Sequence, residues 1–227
     1  MKRTRYKTLG ALAISLLGFS SASQAVILAE YNFNNDGSGT DLSATTVATG
    51  VTGGTTTDGA GFDIFTNTGL TVLFTSGGVG LNGGVAGSTK AIALTDGEYF
   101  SITISATNTG TERLDISTLD FNAVRSSNGS SNYFVRSSLD AFASDLADAT
   151  IPGGAVSQIS LGSAFDSVET VEFRFYLYNR ASTSNGSSSV TLDDIEFNGT
   201  VVAIPEPSSA MLILGGAGLA LLRRRRA

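Results

Sequence analysis

The 227-residue chain contains no cysteine, no histidine and no tryptophan; it has three prolines, and charged residues make up 15% of it. Each shortage excludes something. Without cysteine there is no disulfide framework, no thiol nucleophile and no thiolate metal ligand. Without histidine there is no Ser-His-Asp triad and no imidazole zinc site. Chemistry, if there is any, falls to carboxylates, lysine, tyrosine and hydroxyls. The length suits a single core with attachments at its ends.

Charge is distributed unevenly. Four of the 14 basic residues lie in the first 25 positions and four in the last five, which leaves six between Val26 and Ile204 against 19 acidic ones, a net charge of −13. A domain so acidic does not neutralise phosphates, so no nucleic acid partner is expected, and it is repelled by anionic membrane surfaces.

The first 25 residues read as a secretory signal peptide. Lys2, Arg3, Arg5 and Lys7 precede an apolar run from Leu9 to Phe19, and small residues end at Ser23, Gln24 and Ala25. Cleavage is expected after Ala25. A run of 11 residues is well short of the roughly 20 that a membrane-spanning helix needs.

From Val26 to Ala203 the chain is rich in Gly, Ser, Thr and Asn, and apolar residues alternate with polar ones between turn residues. Phe100, Ile102, Ile104 and Ala106 form one such series, Leu119, Phe121 and Ala123 a second, and Val171, Phe173, Phe175 and Leu177 a third. Period-two segments of this kind are strands with one buried face. Further strands are expected at residues 27–33, 62–66, 70–75, 90–94, 133–137, 156–161 and 190–202. Ten elements at this length predict an all-β, two-sheet antiparallel sandwich of the jelly-roll type, flanked by an N-terminal signal helix and a short C-terminal hydrophobic helix. In the last strand Leu192 and Ile195 are three apart, so a bulge at Asp193 and Asp194 is needed to keep both inward. Residues 37–61 predict a long loop or a ragged edge hairpin. Residues 138–148 suit a hairpin better than a short amphipathic helix in this all-β setting.

After the sandwich the chain reads Ile204, Pro205, Glu206, Pro207, then an almost wholly apolar stretch to Leu222, then Arg223, Arg224, Arg225 and Arg226. This order resembles the PEP-CTERM sorting signal of Gram-negative bacteria: a Pro-Glu-Pro triplet, a short hydrophobic helix and a terminal arginine cluster. The resemblance covers about the last 24 residues, dividing the chain into a signal peptide at 1–25, a β-sandwich at 26–203 and a sorting signal at 204–227. It implies export through the secretion machinery, processing near the triplet by an exosortase, and a place at the cell surface or in the extracellular matrix. The physical reading agrees. The apolar stretch is barely long enough to enter a bilayer, Gly215, Gly216 and Gly218 weaken it as a permanent helix, and the four arginines stay cytoplasmic. Transient membrane insertion is expected, with an anchor that is never cut as the other reading of the same tail. Pro205 and Pro207 hold the triplet extended, the conformation a protease binds.

A weaker resemblance lies in the core. Residues 132–140 and 192–199 are similar to jelly-roll segments of carbohydrate-binding-module-like domains, although Ala141 stands where the first segment's turn glycine is usual. The similarity implies non-catalytic polysaccharide binding, with calcium held between the first strand and the last. Glu30, Asp193 and Asp194 are the matching ligand positions, since hard cations take oxygen ligands. Solvated edge acids are the plainer explanation of the same residues. Tyr133, Tyr176 and Tyr178 are candidate stacking platforms for a sugar, on strand faces expected to be exposed. The alternative of different class is a secreted glycan hydrolase using paired carboxylates, Glu169 with Glu172 or Asp194 with Glu196, which needs no histidine. No recognisable catalytic motif surrounds either pair, so the expectation is not an enzyme. A sandwich with no ligand at all is the third reading. Asn128, Asn185 and Asn198 each open an Asn-Gly-Ser or Asn-Gly-Thr triplet, which is equally a turn signal.

Overall fold

The computed structural model describes residues 25–33, 42–60, 62–66, 72–76, 89–125, 127, 129–151, 153–180 and 190–204. The expected signal helix and tail helix lie outside them. Among the described residues no helix is long and apolar enough to cross a membrane.

The alternating segments form thirteen strands among the described residues: β1 (Val26–Tyr31), β2 (Thr46–Val47), β3 (Val51–Gly53), β4 (Thr57–Asp58), β5 (Phe62–Thr66), β6 (Val72–Ser76), β7 (Tyr99–Ala106), β8 (Glu112–Arg125), β9 (Ser130–Ser137), β10 (Ala147–Thr150), β11 (Val156–Ser160), β12 (Thr170–Arg180) and β13 (Val190–Ala203). One sheet runs in the order β11, β8, β13, β1, β2, with β6 also on β13 and β5 on β6. The other runs β10, β9, β12, β7, β3, with β4 also on β7. All pairings are antiparallel. From β7 onward the chain crosses between sheets at nearly every step, as a jelly roll requires.

The inner faces meet as the alternation predicts. Phe100, Ile102 and Ile104 of β7, and Phe173 and Phe175 of β12, face Ile116, Leu119 and Phe121 of β8 and Ile195 and Phe197 of β13, all fully or almost fully buried. Phe100 stacks on Phe175 with centroids 4.6 Å apart, and Phe121 meets Phe175 edge-on at 5.7 Å. Each such side chain contributes roughly 1.5–3 kcal/mol by leaving water. The bulge expected in the last strand is present: register shifts between Asp193 and Glu196, Asp194 takes φ 49°, and Leu192 and Ile195 both point inward.

Three local outcomes differ from the sequence reading or refine it. Residues 90–94, expected as a strand, belong to the one α-helix among the described residues, α1 (Lys90–Asp96). The Thr89 hydroxyl accepts from the Ile92 N–H at its start and Gly97, with φ 70°, closes it in the left-handed conformation. These end signals outweigh the short Ala-Ile-Ala-Leu alternation. Residues 138–148 do join a hairpin, β9 to β10, opening with a 3-10 turn at Ser138–Asp140 and with Ala141 and Phe142 at positive φ. The Thr- and Gly-rich region resolves, where described, into the short edge strands β2, β3 and β4.

Candidate functional site

The processing tail leaves directly from the body of the fold. β13 is the central strand of its sheet, and its last residues pair with β8 as Val201 with Leu114, Val202 with Arg113 and Ala203 with Glu112. The Ile204 N–H then donates to the Thr111 carbonyl at 2.7 Å. Pro205, Glu206, Pro207 and the terminal arginines lie outside the described residues. Ala25 immediately precedes β1, whose first residue, Val26, pairs with Gly199. Both ends of the sandwich therefore emerge at the same end of one sheet.

Of the three tyrosines expected to be exposed, two are buried. Tyr133 is buried in the main core, edge-on to Phe121 at 5.2 Å, its hydroxyl 3.4 Å from that of Ser157. Tyr176 does point to the outer face of its sheet, but that face is covered. It lies parallel to Phe134 at 4.4 Å, and α1 seats the fully buried Ala93 in the same small cluster. Sequence alternation marks faces but does not say which face a distant helix covers. Tyr178 is half-buried at the rim of this cluster, edge-on to Phe134 at 5.7 Å.

Around Tyr178 the structure gathers polar groups that the sequence did not single out together. Its hydroxyl donates to Asp148 Oδ1 at 2.7 Å, and Lys90 Nζ bonds Asp148 Oδ2, also at 2.7 Å. Lys90 and Arg136 both bond Asp145, and both cations lie over the Phe134 ring. Nearby, Asn179 Nδ2 donates to Asn132 Oδ1 at 2.9 Å, and Ser131 Oγ donates to the same oxygen at 2.8 Å. Burial works to raise the Asp148 carboxyl, but the hydrogen bonds from Lys90 and Tyr178 and the ammonium charge outweigh it and hold it below its ordinary value. The Tyr178 hydroxyl is pushed up, first by its bond to that carboxylate and then by burial. The available signal was Lys90, the one lysine between the two ends of the chain.

The carboxylates form a row rather than a cage. Glu30 of β1 stands opposite Glu196 of β13, and Glu196 stands opposite Asp120 of β8. Asp193 faces Asn122 instead, and Asp194, the bulge residue, accepts from Asn122 Nδ2 at 3.1 Å. Glu30 is thus not brought opposite Asp193 or Asp194. Among the described residues no group of three or more acids is arranged to hold a metal ion. Burial, then the charges of Glu30, Asp120 and Asp194, pushes the Glu196 carboxyl up. Burial and the neighbouring Asp194 do the same to Asp193. Of the other expected pair, Glu169 bonds Arg113 and Glu172 bonds Arg174 at 2.7 Å. Asn198 lies within β13, not in a turn, and its amide bonds Asp120 at 3.0 Å. Asn128 and Asn185 lie outside the described residues.

Among curated proteins none matches the chain. Among solved structures it is similar to a carbohydrate-binding module, TmCBM27, dissected for specific mannan recognition, at 7% identity and TM-score 0.37 over 78% of this chain and 99% of that one. It is also similar to a cleaved adhesin domain of Lys-gingipain from Porphyromonas gingivalis, at 15% identity and TM-score 0.36 over 77% and 98%. Residues 203–226 match the PEP-CTERM protein-sorting motif. The match starts at Ala203, the last residue of β13. The chain thus carries at its C-terminus the PEP-CTERM motif of exported proteins processed at the cell envelope, joined without a spacer to a β-sandwich.

Proposed function

We propose that the protein is an exosortase substrate displayed at the cell surface or in the extracellular matrix, where its sandwich contacts polysaccharide without catalysis. The observation that carries this reading is the sorting motif at residues 203–226, continuous with the central strand of the fold. Within the sandwich the contact falls to Tyr178, because Tyr133 and Tyr176 are buried. Tyr178 offers a ring beside Asp148, Asn132 and Asn179, and a sugar needs an apolar surface with hydrogen-bonding groups around it. Ion pairing of Glu169 and Glu172 with arginines favours a structural role for those acids over a catalytic one.

The reading is tested by affinity electrophoresis of residues 26–204 in gels containing the producing organism's exopolysaccharide, run with calcium and with chelator. Retardation is expected in the calcium gel; its loss with chelator would assign calcium a part in the contact, and equal retardation in both gels would leave the contact to the protein's own side chains. Unhindered migration in both would end the polysaccharide reading, and sugar release abolished by one carboxylate substitution would replace it with a hydrolase.

A further inference from the structure

The last turn of chain before the triplet is held by the fold it must be cut from. Ala203 is at once the final residue of β13 and the first of the sorting motif. Ile204 is tied to Thr111, so the last described backbone hydrogen bond sits directly before Pro205. A chain spans at most about 3.3–3.6 Å per residue, so the bonds around Glu206 can reach no more than about 7–10 Å beyond that tie. A peptidase that takes an extended peptide pairs with its backbone edges on both sides of the cut. On the upstream side those residues are 200–204, and their edge toward β8 is occupied by Glu112, Arg113 and Leu114.

The same segment is built to let go. The other edge of β13 is taken by β6 at Val190, Thr191 and Leu192 and by β1 from Ile195 to Gly199. Past Gly199 the described residues supply no second strand partner, so the described pairing of residues 200–203 is with β8, and Val201 is the one of them that packs against the core. A register shift between Asn198 and Gly199 separates them from the rest of the strand, and none of Thr200, Val201, Val202 or Ala203 is fully buried. Strand ends with one partner and partial burial are the first to open locally.

We propose that the end of β13 is a clasp on the sorting signal: the peptidase acts on the form in which residues 200–204 have peeled from β8, and the folded sandwich sets the rate of its own processing. This rests on reading the tail as an exosortase substrate. When opening is fast, cleavage follows the population of the open form. Holding the clasp shut slows processing, and a spacer that carries the triplet clear of β8 speeds it.

The test follows maturation of the full-length chain by pulse-chase in cells that carry the exosortase. Val202 and Arg113 are directly opposed, at the Cα separation of an antiparallel pair, which a disulfide can span. The chain has no other cysteine, so the double variant V202C/R113C forms one lock in the oxidising exterior. Maturation of the locked chain is expected to slow by about tenfold or more and to recover with reductant, which also shows that the variant folds. A ten-residue Gly/Ser insertion between Ile204 and Pro205 is expected to speed it. Maturation of both variants at the unaltered rate would overturn the clasp alone. No shortening of the unaltered chain would overturn the clasp together with the reading of the tail.

Discussion

Gly199 of β13 lies so close to Asp115 of β8 that a Cβ built on it would stand 2.0 Å from the Asp115 carbonyl oxygen. Val26 pairs with the same glycine from the other side. The three strands that join the two ends of the sandwich therefore meet at a point where only a hydrogen fits. Gly199→Ala forces backbone apart and is expected to cost about 1–3 kcal/mol as overpacking. For a domain of this size each kcal/mol is worth roughly 2–4 °C in melting temperature, and thermal unfolding followed by circular dichroism reads it.

The three tyrosines are expected to separate into fold and surface. Tyr176→Ala removes the ring stacked on Phe134 beneath α1 and should cost about 3–5 kcal/mol of stability in chemical denaturation. Tyr178→Ala loses chiefly an edge contact and the bond to Asp148, about 1–3 kcal/mol, and should abolish retardation by polysaccharide while the fold persists.

Two acid-dependent effects of opposite sign are expected. Glu196 has a raised carboxyl in the folded state, so its charge works against folding at neutral pH, and the penalty is relieved as pH falls through that raised value toward the ordinary 4.5. Glu196→Gln should therefore stabilise at pH 7 by roughly 0.2–1 kcal/mol, the scale of like charges opposed across strands, and make no difference below about pH 4. Asp148 has a depressed carboxyl, so its contribution is present above 3.8 and is lost as pH falls through the lower folded value. Denaturation series from pH 7 to pH 2 should show the first effect in mild acid and the loosening of α1 only below it.

The helix itself depends on its first residue. Thr89→Ala leaves the Ile92 N–H without its side-chain acceptor and should cost about 1 kcal/mol, with hydrogen exchange at residues 90–96 rising before exchange in β7 or β12.

These sites differ in how legible they were. The alternations in β7, β8 and β12 placed the inner core correctly because a period of two leaves no choice of face once one side is apolar. The three-residue step from Leu192 to Ile195 announced the bulge for the same reason. Around Tyr176 the rule failed. Tyr133, Phe134 and Val135 are consecutive and all buried, which alternation does not allow for a sheet with one wet face. The cause is α1, some forty residues earlier in the chain, which makes the outer face a second small core. Thr89 and Gly97 cap that helix in the structure, but its apolar residues alternate as a strand's do, and so short a run cannot be assigned by period. The edge strands β2, β3 and β4 left almost no mark, being short and made of threonine and glycine. The sorting motif was legible because its three parts stand in fixed order.

The measurement that bears most directly on the account is intact-mass and terminal peptide analysis of the protein recovered from the cell envelope and medium. The account expects a chain that begins at Val26 and ends close to Glu206, without Arg223, Arg224, Arg225 and Arg226. A full 227-residue chain retained inside the cell would contradict it.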